Sequence, residues 1–322
     1  YAPVDAAWNE RLVSAMVDAA SSALAAERPV AMRWASGAVA GVATNRDHPE
    51  TPADISLDLL ILCDAGTDAP SAILGSFPAH PTVMSAANLE ITADLPGAFR
   101  RSLASRLGNA QPWIALATGA AADISSRHVR RGQDFVELDR LGDVLAARAE
   151  RIIQQATMVI PDGQAITLDS RSVRIPVAIK SFPSEADLAA EEQQLRAAQP
   201  VSPGEARTIE TALQGVDGAR RLARKAHALP RVAELNALRI GPVALVTVPG
   251  ELYNALGARL RSATGHPVMV IGYANGHVGY LPSADAYANM DYEVLTSPVV
   301  LGTAERLVSA LESELESLFK RQ

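Results

Sequence analysis

Apolar residues recur along this chain at two spacings, one helical and one strand-like. Helical spacing from Asp5 to about Glu27 predicts an opening helix, and "FVELDRLGDVLAARAERIIQQA" and "TAERLVSALESELESLF" predict two more, the last of which closes the chain. The run "LDLLILCDA" is apolar at nearly every position, which is typical of a strand buried on both faces. Because helices and strands alternate from the outset, the pattern predicts an α/β fold with a mixed β-sheet core and helices on both faces.

The remaining elements are predicted from shorter patterns. They comprise strands at "PVAMRWASGAVAGVAT", "AILGSFPAHPTVM", "WIALAT", "RSVRIPVAI", "RVAELNALRIGPVALVTVPGE" and "PVMVIGYAN", and helices at "LPGAFRRSLASRL" and "LYNALGARLRSATG". From 184 to about 229 the sequence becomes charged and rich in Ala, Glu and Arg, which predicts two helices joined by a turn at "QPVSPGEA". We therefore expect a single large domain over 1–322, with about 184–229 as a peripheral helical insertion.

Composition narrows the function classes mainly by exclusion. The chain has 322 residues, 48% of them hydrophobic, which is enough to bury a substantial core. Its net charge of -7, without basic clusters, argues against nucleic acid or an anionic membrane as the main partner, and no stretch approaches the roughly 18 consecutive apolar residues of a transmembrane helix. The single cysteine, Cys63, excludes a disulfide framework and a cysteine-based zinc site. The basic residues are almost all Arg, which is typical of a GC-rich bacterial genome.

Three predicted strand ends contain candidate chemistry, since loops beyond strand C-termini hold functional residues in α/β proteins. In "SFPAHPTVM", His80 could ligate a metal, although a lone histidine more often has no such role. In "ALATGAAADISSRH", Asp123 and Ser125 lie among small side chains, where the alternative is an ordinary Ser/Asp turn. In "ALVTVPGELYNALGARLR", Glu251 leaves a buried strand and enters a helix, where the alternative is a carboxylate interacting with the helix dipole.

A fourth stretch is rich in tyrosine. Five of the six tyrosines lie between positions 253 and 292, around "GYANGHVGYLPSADAY". Core packing accounts for Tyr253, Tyr273 and Tyr287, whereas Tyr280 and Tyr292 stand in "GHVGY" and "MDYE", whose polar character does not suit a core. The window predicts either a hydrogen-bonded cover over the core or the wall of an active site.

Taken together, the four stretches resemble one family, the neutral ceramidases, which are zinc-dependent amidases that split the N-acyl bond of ceramide. "AHPTVM" and "PGE" resemble the turns that carry a ligating histidine and a ligating glutamate in that family. "ANGHVGYLPSADAYANMDYE" resembles the run with a ligating tyrosine and a second active-site tyrosine. The resemblance therefore implies His80, Glu251 and Tyr280 as zinc ligands, with Tyr292 as the partner tyrosine.

Two further motifs extend the resemblance, which spans about 10 to 305. "ADISSR" resembles the segment of the family's catalytic serine, which implies that role for Ser125, and "TNRDHP" resembles an active-site "NRSP" motif, which implies a role for Arg46. Three departures accompany them. "ADISSR" lacks the family's Gly, Pro and Asn, the given residues include no match to the family's C-terminal immunoglobulin-like domain, and no "HTHSGP" motif with a further histidine ligand is found before the opening helix. We expect either an upstream segment that supplies this histidine or a site that has lost one ligand.

The family resemblance also implies a mechanism. It implies hydrolysis of an amide in ceramide or a related N-acylated lipid by zinc-activated water. Ser125 would orient the water or donate to the oxyanion, with Asp123 fixing its loop, and Arg46 and Tyr292 would stabilise the tetrahedral intermediate. A secreted or periplasmic location is implied as well. Two alternatives remain open: a relative that hydrolyses a different amide or ester, and a degenerate, metal-free binding protein.

Overall fold

The computed structural model of the protein describes residues 5–161, 165–201, 203–289 and 291–320. Within these ranges the helices are α1 (Ala6–Ala25), α2 (Asp94–Arg106), α3 (Phe135–Gln154), α4 (Glu185–Ala197), α5 (Pro203–Lys225), α6 (Asn254–Arg261), α7 (Tyr292–Thr296) and α8 (Thr303–Lys320). The strands are β1 (Val30–Ala38), β2 (Thr44–Asn45), β3 (Ser56–Asp64), β4 (Pro70–Phe77), β5 (Trp113–Thr118), β6 (Ile124–Ser125), β7 (Thr157–Ile160), β8 (Leu168–Pro176), β9 (Val232–Ile240), β10 (Val243–Thr247), β11 (Glu251–Leu252), β12 (Val268–Ile271) and β13 (Tyr280–Leu281).

The first sheet has five strands in the order β5-β4-β3-β1-β7. β3 pairs antiparallel with β1 and β4, and β4 pairs parallel with β5. Alternate side chains of β3 enter different hydrophobic clusters: Leu59 and Ile61 pack with residues of α2 and α3, while Leu60 packs with residues of the second sheet. β3 is therefore buried on both faces, as its apolar run predicts.

The second sheet has four strands in the order β12-β10-β9-β8, with β10 parallel to β12 and antiparallel to β9. Leu245 and Met269 of this sheet pack against Met32 and Leu60 of the first, so the two sheets lie face to face. The α6 and α8 helices cover the other face of the second sheet through a cluster that includes Leu260. The predicted α/β class with helices on both faces is confirmed, and the strands between the helices are divided between two stacked sheets.

Helices α4 and α5 fall within the stretch that the sequence assigns to a helical insertion. α4 begins with a capping box, in which Ser184 and Asp187 satisfy each other's backbone N–H groups. Leu188 of α4 packs on Val216 and Ala219 of α5. The division of 1–322 into one domain with a peripheral insertion stays a prediction.

Helix α1 forms where helical spacing predicts it, but none of its residues is buried. Asp5 caps it by accepting a hydrogen bond from the Trp8 backbone N–H at 3.1 Å. Its apolar side chains Leu12, Met16 and Val17 are exposed. In the part of the chain that is described, α1 and every other helix is too short or too polar to cross a membrane.

Candidate active site

The ends of strands from both sheets meet at a junction built from glycine backbone. The Gly272 N–H, just after β12, donates to the Thr118 carbonyl at the end of β5 at 2.9 Å, and the Tyr273 N–H donates to the Gly250 carbonyl at 3.1 Å. A Cβ atom at Gly272 would lie 2.9 Å from the Gly119 carbonyl oxygen, so this close approach requires glycine. The loops that follow β5, β10 and β12 therefore start from one place.

The loop 120–126 after β5 connects the other site segments to this junction. The Arg46 N–H donates to the Asp123 carbonyl at 2.8 Å and the His80 N–H to the Ile124 carbonyl at 3.0 Å. The Ala122 N–H donates to the carbonyl of Leu252, the residue after Glu251, at 3.1 Å. Backbone hydrogen bonds thus hold residues 46, 80 and 251 around a single loop, although they are far apart in the sequence.

His80 is buried, and both of its ring nitrogens have partners. Nε2 lies 3.1 Å from the Ala122 carbonyl, which can only accept, so this contact favours a proton on Nε2 and a lone pair on Nδ1. Nδ1 lies 3.1 Å from the Tyr273 hydroxyl. Burial, aided by the positive charge of Arg46, lowers the His80 pKa to about 4. The imidazole is therefore neutral at neutral pH.

Glu251 stands between two histidines. Its Oε2 accepts a hydrogen bond from the Tyr273 hydroxyl at 2.9 Å and lies 3.6 Å from His80 Nε2, while its Oε1 lies 3.4 Å from His277 Nε2. Burial by itself would raise the Glu251 pKa, but contacts with His277, His80 and Tyr273 lower it below its ordinary value. The carboxylate is ionised at neutral pH and faces the same hydroxyl as His80 Nδ1.

Arg46 forms the positive centre of the site. Its guanidinium is buried in an ion pair with Glu293, which has no exposed surface, and its Nη2 donates to the Tyr280 hydroxyl at 3.3 Å. It also lies 5.6 Å from the ring centres of both Tyr280 and Tyr292. Burial alone would lower the Arg46 pKa, but the Glu293 charge keeps it above the ordinary value. The site therefore contains a fixed positive charge beside two phenols.

Both phenols remain protonated. Burial raises the pKa of Tyr280, although Arg46 opposes the shift, and burial likewise raises the pKa of Tyr292. The two rings pack edge to face with centres 6.0 Å apart. Their hydroxyls are available to donate hydrogen bonds to an anionic oxygen.

Asp123 and Ser125 lie on the loop that connects these segments. The Asp123 carboxylate accepts hydrogen bonds from Asn45 Nδ2 at 3.0 Å and from the Asn254 backbone N–H at 2.8 Å, so it links the neighbour of Arg46 to the first residue of α6. Ser125 is buried on β6, opposite Thr44 of β2, and its hydroxyl accepts from the Arg127 N–H at 3.2 Å. Asp123 is thus placed to position other residues.

The structure brings five of the seven predicted site residues into one network of contacts, namely Arg46, His80, Glu251, Tyr280 and Tyr292. His80 and Tyr280 lie edge to face with ring centres 6.3 Å apart. Within the described residues, the Asp123 and Ser125 side chains make no hydrogen bond to this network. Their roles, like those of the other five, stay predictions.

Three residues in the network are absent from the set predicted by sequence: Tyr273, His277 and Glu293. Tyr273 looks like a packing residue in sequence, yet its hydroxyl lies between His80 and Glu251 because a positive φ of 58° turns the chain at this position. Its place just after a strand end was the available signal. The signal for Glu293 was a carboxylate directly after Tyr292 and before the apolar pair Val294 and Leu295.

The metal implied by the family resemblance can be tested against these donors. The Nε2–H of His80 points to a backbone carbonyl, as in histidines whose other nitrogen ligates a metal, and Nδ1 and Glu251 Oε2 both contact the Tyr273 hydroxyl. Imidazole and carboxylate are ordinary zinc ligands. Among the described residues, no three or more His, Cys, Asp or Glu side chains form a group that could hold an ion. His80 and Glu251 fit zinc as part of a ligand set that needs other donors.

A groove opens directly beside the network. It has a volume of about 720 Å³, and Glu251, His277, Tyr280 and Tyr292 form part of its wall. Much of the remaining wall is apolar, which is typical of sites that bind small organic molecules. The network is therefore accessible to a ligand through this groove.

Comparisons with known proteins identify the fold. No protein-family model and no curated protein sequence matches the chain. Among solved structures, neutral ceramidase from Pseudomonas aeruginosa matches with a TM-score of 0.66 and 19% identity over 91% of this chain, and a ceramidase complexed with C2 matches with the same values. The chain spans about half the length of these structures, 53% and 54% respectively. The resemblance to neutral ceramidase seen in the sequence is confirmed at the level of the fold.

Proposed function

We propose that the chain is a ceramidase-like hydrolase that cleaves the N-acyl amide bond of ceramide or a related N-acylated lipid. The observation that carries the proposal is the convergence of His80, Glu251, Tyr280 and Arg46 from separate loops onto one network beside an apolar groove. The fold shared with neutral ceramidase supports it. Packing alone does not require ionised and neutral groups to be collected at one end of a core.

Different residues would bind the metal and stabilise the oxyanion during amide hydrolysis. His80, with a neutral imidazole, and Glu251, with an ionised carboxylate, would hold Zn²⁺ together with the Tyr280 phenol. A bound zinc ion supplies an acidified water and polarises a carbonyl. The attack of water creates negative charge on the former carbonyl oxygen, and the C–N bond then breaks as the nitrogen gains a proton. Arg46 places a fixed positive charge beside that oxygen, and the Tyr292 hydroxyl donates to it.

Other residues keep these groups in place. Glu293 holds Arg46 through their ion pair, and Asp123 positions the Asn45 side chain next to Arg46. Ser125 orients the attacking water or donates to the oxyanion. The roles of Glu293 and Asp123 rest on these contacts, and the role of Ser125 rests on the family resemblance.

The proposal is tested by activity and metal content together. The purified chain is loaded with zinc, and hydrolysis of a fluorescent N-acyl sphingosine is measured with and without a chelator. We expect hydrolysis that the chelator abolishes and that is lost in His80→Ala but kept in His266→Ala, whose exposed ring stacks on Phe319. Zinc content measured on this chain and on a longer one with an "HTH"-type motif tests whether a further histidine completes the ligand set.

The outcomes separate the proposal from its alternatives. Hydrolysis of other amides or esters but not of N-acyl lipids would favour a relative with a different substrate. Zinc-loaded protein that cleaves neither class, in both chain lengths, would favour a binding protein whose site has degenerated. Activity that is unchanged by His80→Ala would overturn the assignment of the site.

A further inference from the structure

The groove beside the network has two unlike walls. One wall carries the site residues Glu251, Tyr280 and Tyr292. The opposite wall is the C-terminal half of α5, which contributes Arg221 and Leu222. A molecule in the groove therefore contacts the site residues on one side and α5 on the other.

The α5 wall is fixed relative to the site. α5 packs on α7, the helix that begins with Tyr292, and two glycines allow the close approach. A Cβ atom at Gly218 would lie 2.5 Å from Thr296 Cγ2, and one at Gly215 would lie 3.0 Å from Leu295 Cδ1. Because the two helices interlock at this distance, the α5 backbone keeps a constant position relative to Tyr292.

The groove suits an alkyl chain. Leu222, Leu229, Pro230, Val278 and Pro298 supply apolar surface along it. Its volume of about 720 Å³ lies within the roughly 300–1,000 Å³ range of sites that bury small organic ligands. The apolar surface accounts for the acyl part of a substrate but not for the charges that the groove also contains.

Besides the ionised Glu251 carboxylate, the groove contains cationic side chains, which come from α5. Arg221 and Lys225, one helical turn apart, both line the groove. In the described part of the chain, Arg221 makes no hydrogen bond or ion pair, whereas its neighbour Arg220 contacts the carboxylates of Glu185, Glu192 and Asp217. Carboxylates are thus available on this part of the surface, yet Arg221 is left to face the groove.

Arg221 is also close to the reacting end of the groove. The α5 helix lies against Tyr292, since a Cβ atom at Gly215 would lie 3.8 Å from Tyr292 Cδ2, and Arg221 and Tyr292 line the same groove. The Tyr292 ring in turn contacts Tyr280. A carboxylate held by Arg221 would therefore lie in the same groove as an amide placed at Glu251 and Tyr280.

We propose that the groove takes an N-acyl compound with an anionic head group, an N-acyl amino acid, with its acyl chain on the apolar surface and its carboxylate on Arg221. This inference rests on the proposed function. Hydrolysis adds water across the C–N bond, so the acyl carbon gains the oxygen and the nitrogen gains a proton, which yields a fatty acid and a free amino acid. No oxidant is needed, and water is the one co-reactant.

The test compares two substrates that differ in the head group alone. N-lauroylglycine carries a carboxylate, and N-lauroylethanolamine carries a neutral hydroxymethyl group in its place. We expect kcat/KM to favour N-lauroylglycine by at least about tenfold, since a hydrogen bond to a charged group is worth that much. Arg221→Ala should remove the preference mainly through KM, Arg221→Lys should restore part of it, and Arg224→Ala, on the same helix but outside the groove, should leave it unchanged.

A binding measurement separates this inference from the proposed function. Calorimetric binding of N-lauroylglycine is measured for the same variants, with metal removed so that no turnover occurs. Equal kcat/KM for both substrates, with binding indifferent to Arg221, would overturn the anionic head group while ceramide hydrolysis still supports the proposed function. Binding that depends on Arg221, with no amide cleaved, would support the head-group assignment and overturn the hydrolase.

Discussion

The candidate site has two halves that differ in how far their charged and polar side chains are exposed to solvent. The first, the acid–histidine half, consists of His80, Glu251, Tyr273 and His277. The second, the arginine–tyrosine half, consists of Arg46, Tyr280, Tyr292 and Glu293. The first half opens to solvent, since His277 and Tyr273 are 50% and 38% exposed, whereas in the second half the Arg46 and Glu293 side chains are 9% and 0% exposed.

The difference shows which half of the site lowers the stability of the fold through buried charges. Taking two charges out of water costs several kcal/mol per ion, and a buried ion pair often contributes no more stability than well-packed apolar side chains. The Arg46–Glu293 pair is therefore poorly explained by stability and better explained by the need for a positive charge that does not move. In the acid–histidine half the buried His80 ring is neutral, so no ion pair with Glu251 is taken out of water, and His277 and Tyr273 can exchange partners with solvent or a ligand.

The largest expected effect is in the acid–histidine half. Glu251→Gln keeps the shape of the side chain but removes a zinc donor, so we expect activity to fall on the order of ten-thousandfold or more and zinc affinity to drop, with the thermal midpoint nearly unchanged. Competition with a chromophoric chelator measures the affinity. Glu191→Gln, an exposed residue on α4, is the control. Full zinc binding by Glu251→Gln would contradict the assignment.

In the arginine–tyrosine half, we expect substitutions to lower the stability of the protein as well as its activity. Glu293→Gln leaves the Arg46 charge buried without its carboxylate, which we expect to lower the free energy of unfolding by about 3–5 kcal/mol. Denaturant titration measures the change. Arg46→Met combined with Glu293→Leu removes both charges and should recover most of the stability but none of the activity. An active double variant would show that the fixed positive charge has no part in catalysis.

The pH dependence of stability reports on His80 in the metal-free protein. Its pKa is lowered from 6.5 to about 4, so the unfolded chain binds a proton that the folded protein excludes between these values. The stabilising contribution is complete above pH 6.5 and is lost as the pH falls towards 4; at about 1.36 kcal/mol per pKa unit it amounts to about 3 kcal/mol. Urea titrations between pH 7 and 4 should show this loss, and His80→Asn should reduce it. If the free energy of unfolding of His80→Asn fell with pH as steeply as that of the unchanged protein, the loss of stability would belong to other groups.

Long elements of the fold could be predicted because their periodicity is local. The closing stretch "TAERLVSALESELESLF" became α8, and "LDLLILCDA" became β3. The division into two sheets could not be predicted, because strand pairing depends on contacts between distant segments. The same spacing that predicts α8 also predicts α1, yet only α8 has a buried face, since a pattern does not specify what an apolar face will contact.

The site was accessible to sequence reasoning through motifs rather than periodicity. β6, β11 and β13, which hold Ser125, Glu251 and Tyr280, have two residues each, and two residues have no period. Their strand character arises from pairing, as between Glu251 and Tyr280. Tyr273 was assigned to packing because the turn that directs its hydroxyl towards His80 follows from a backbone conformation that residue type does not reveal.

The smallest expected effect concerns the boundary between the two halves, where loop 120–126 holds both His80 and Arg46. Ser125→Ala should lower turnover about a hundredfold, as the loss of one oxyanion donor does, with little change in the thermal midpoint. Ser126→Ala is the matched control: its hydroxyl is buried and lacks a hydrogen-bond partner among the described residues, so removing it should leave activity unchanged and stability equal or higher. Turnover and thermal unfolding of the two variants show whether Ser125 acts in catalysis or only in shaping the loop. Equal losses of turnover would mean that the serines act only by shaping the loop, and the chemistry would then belong to the two halves alone.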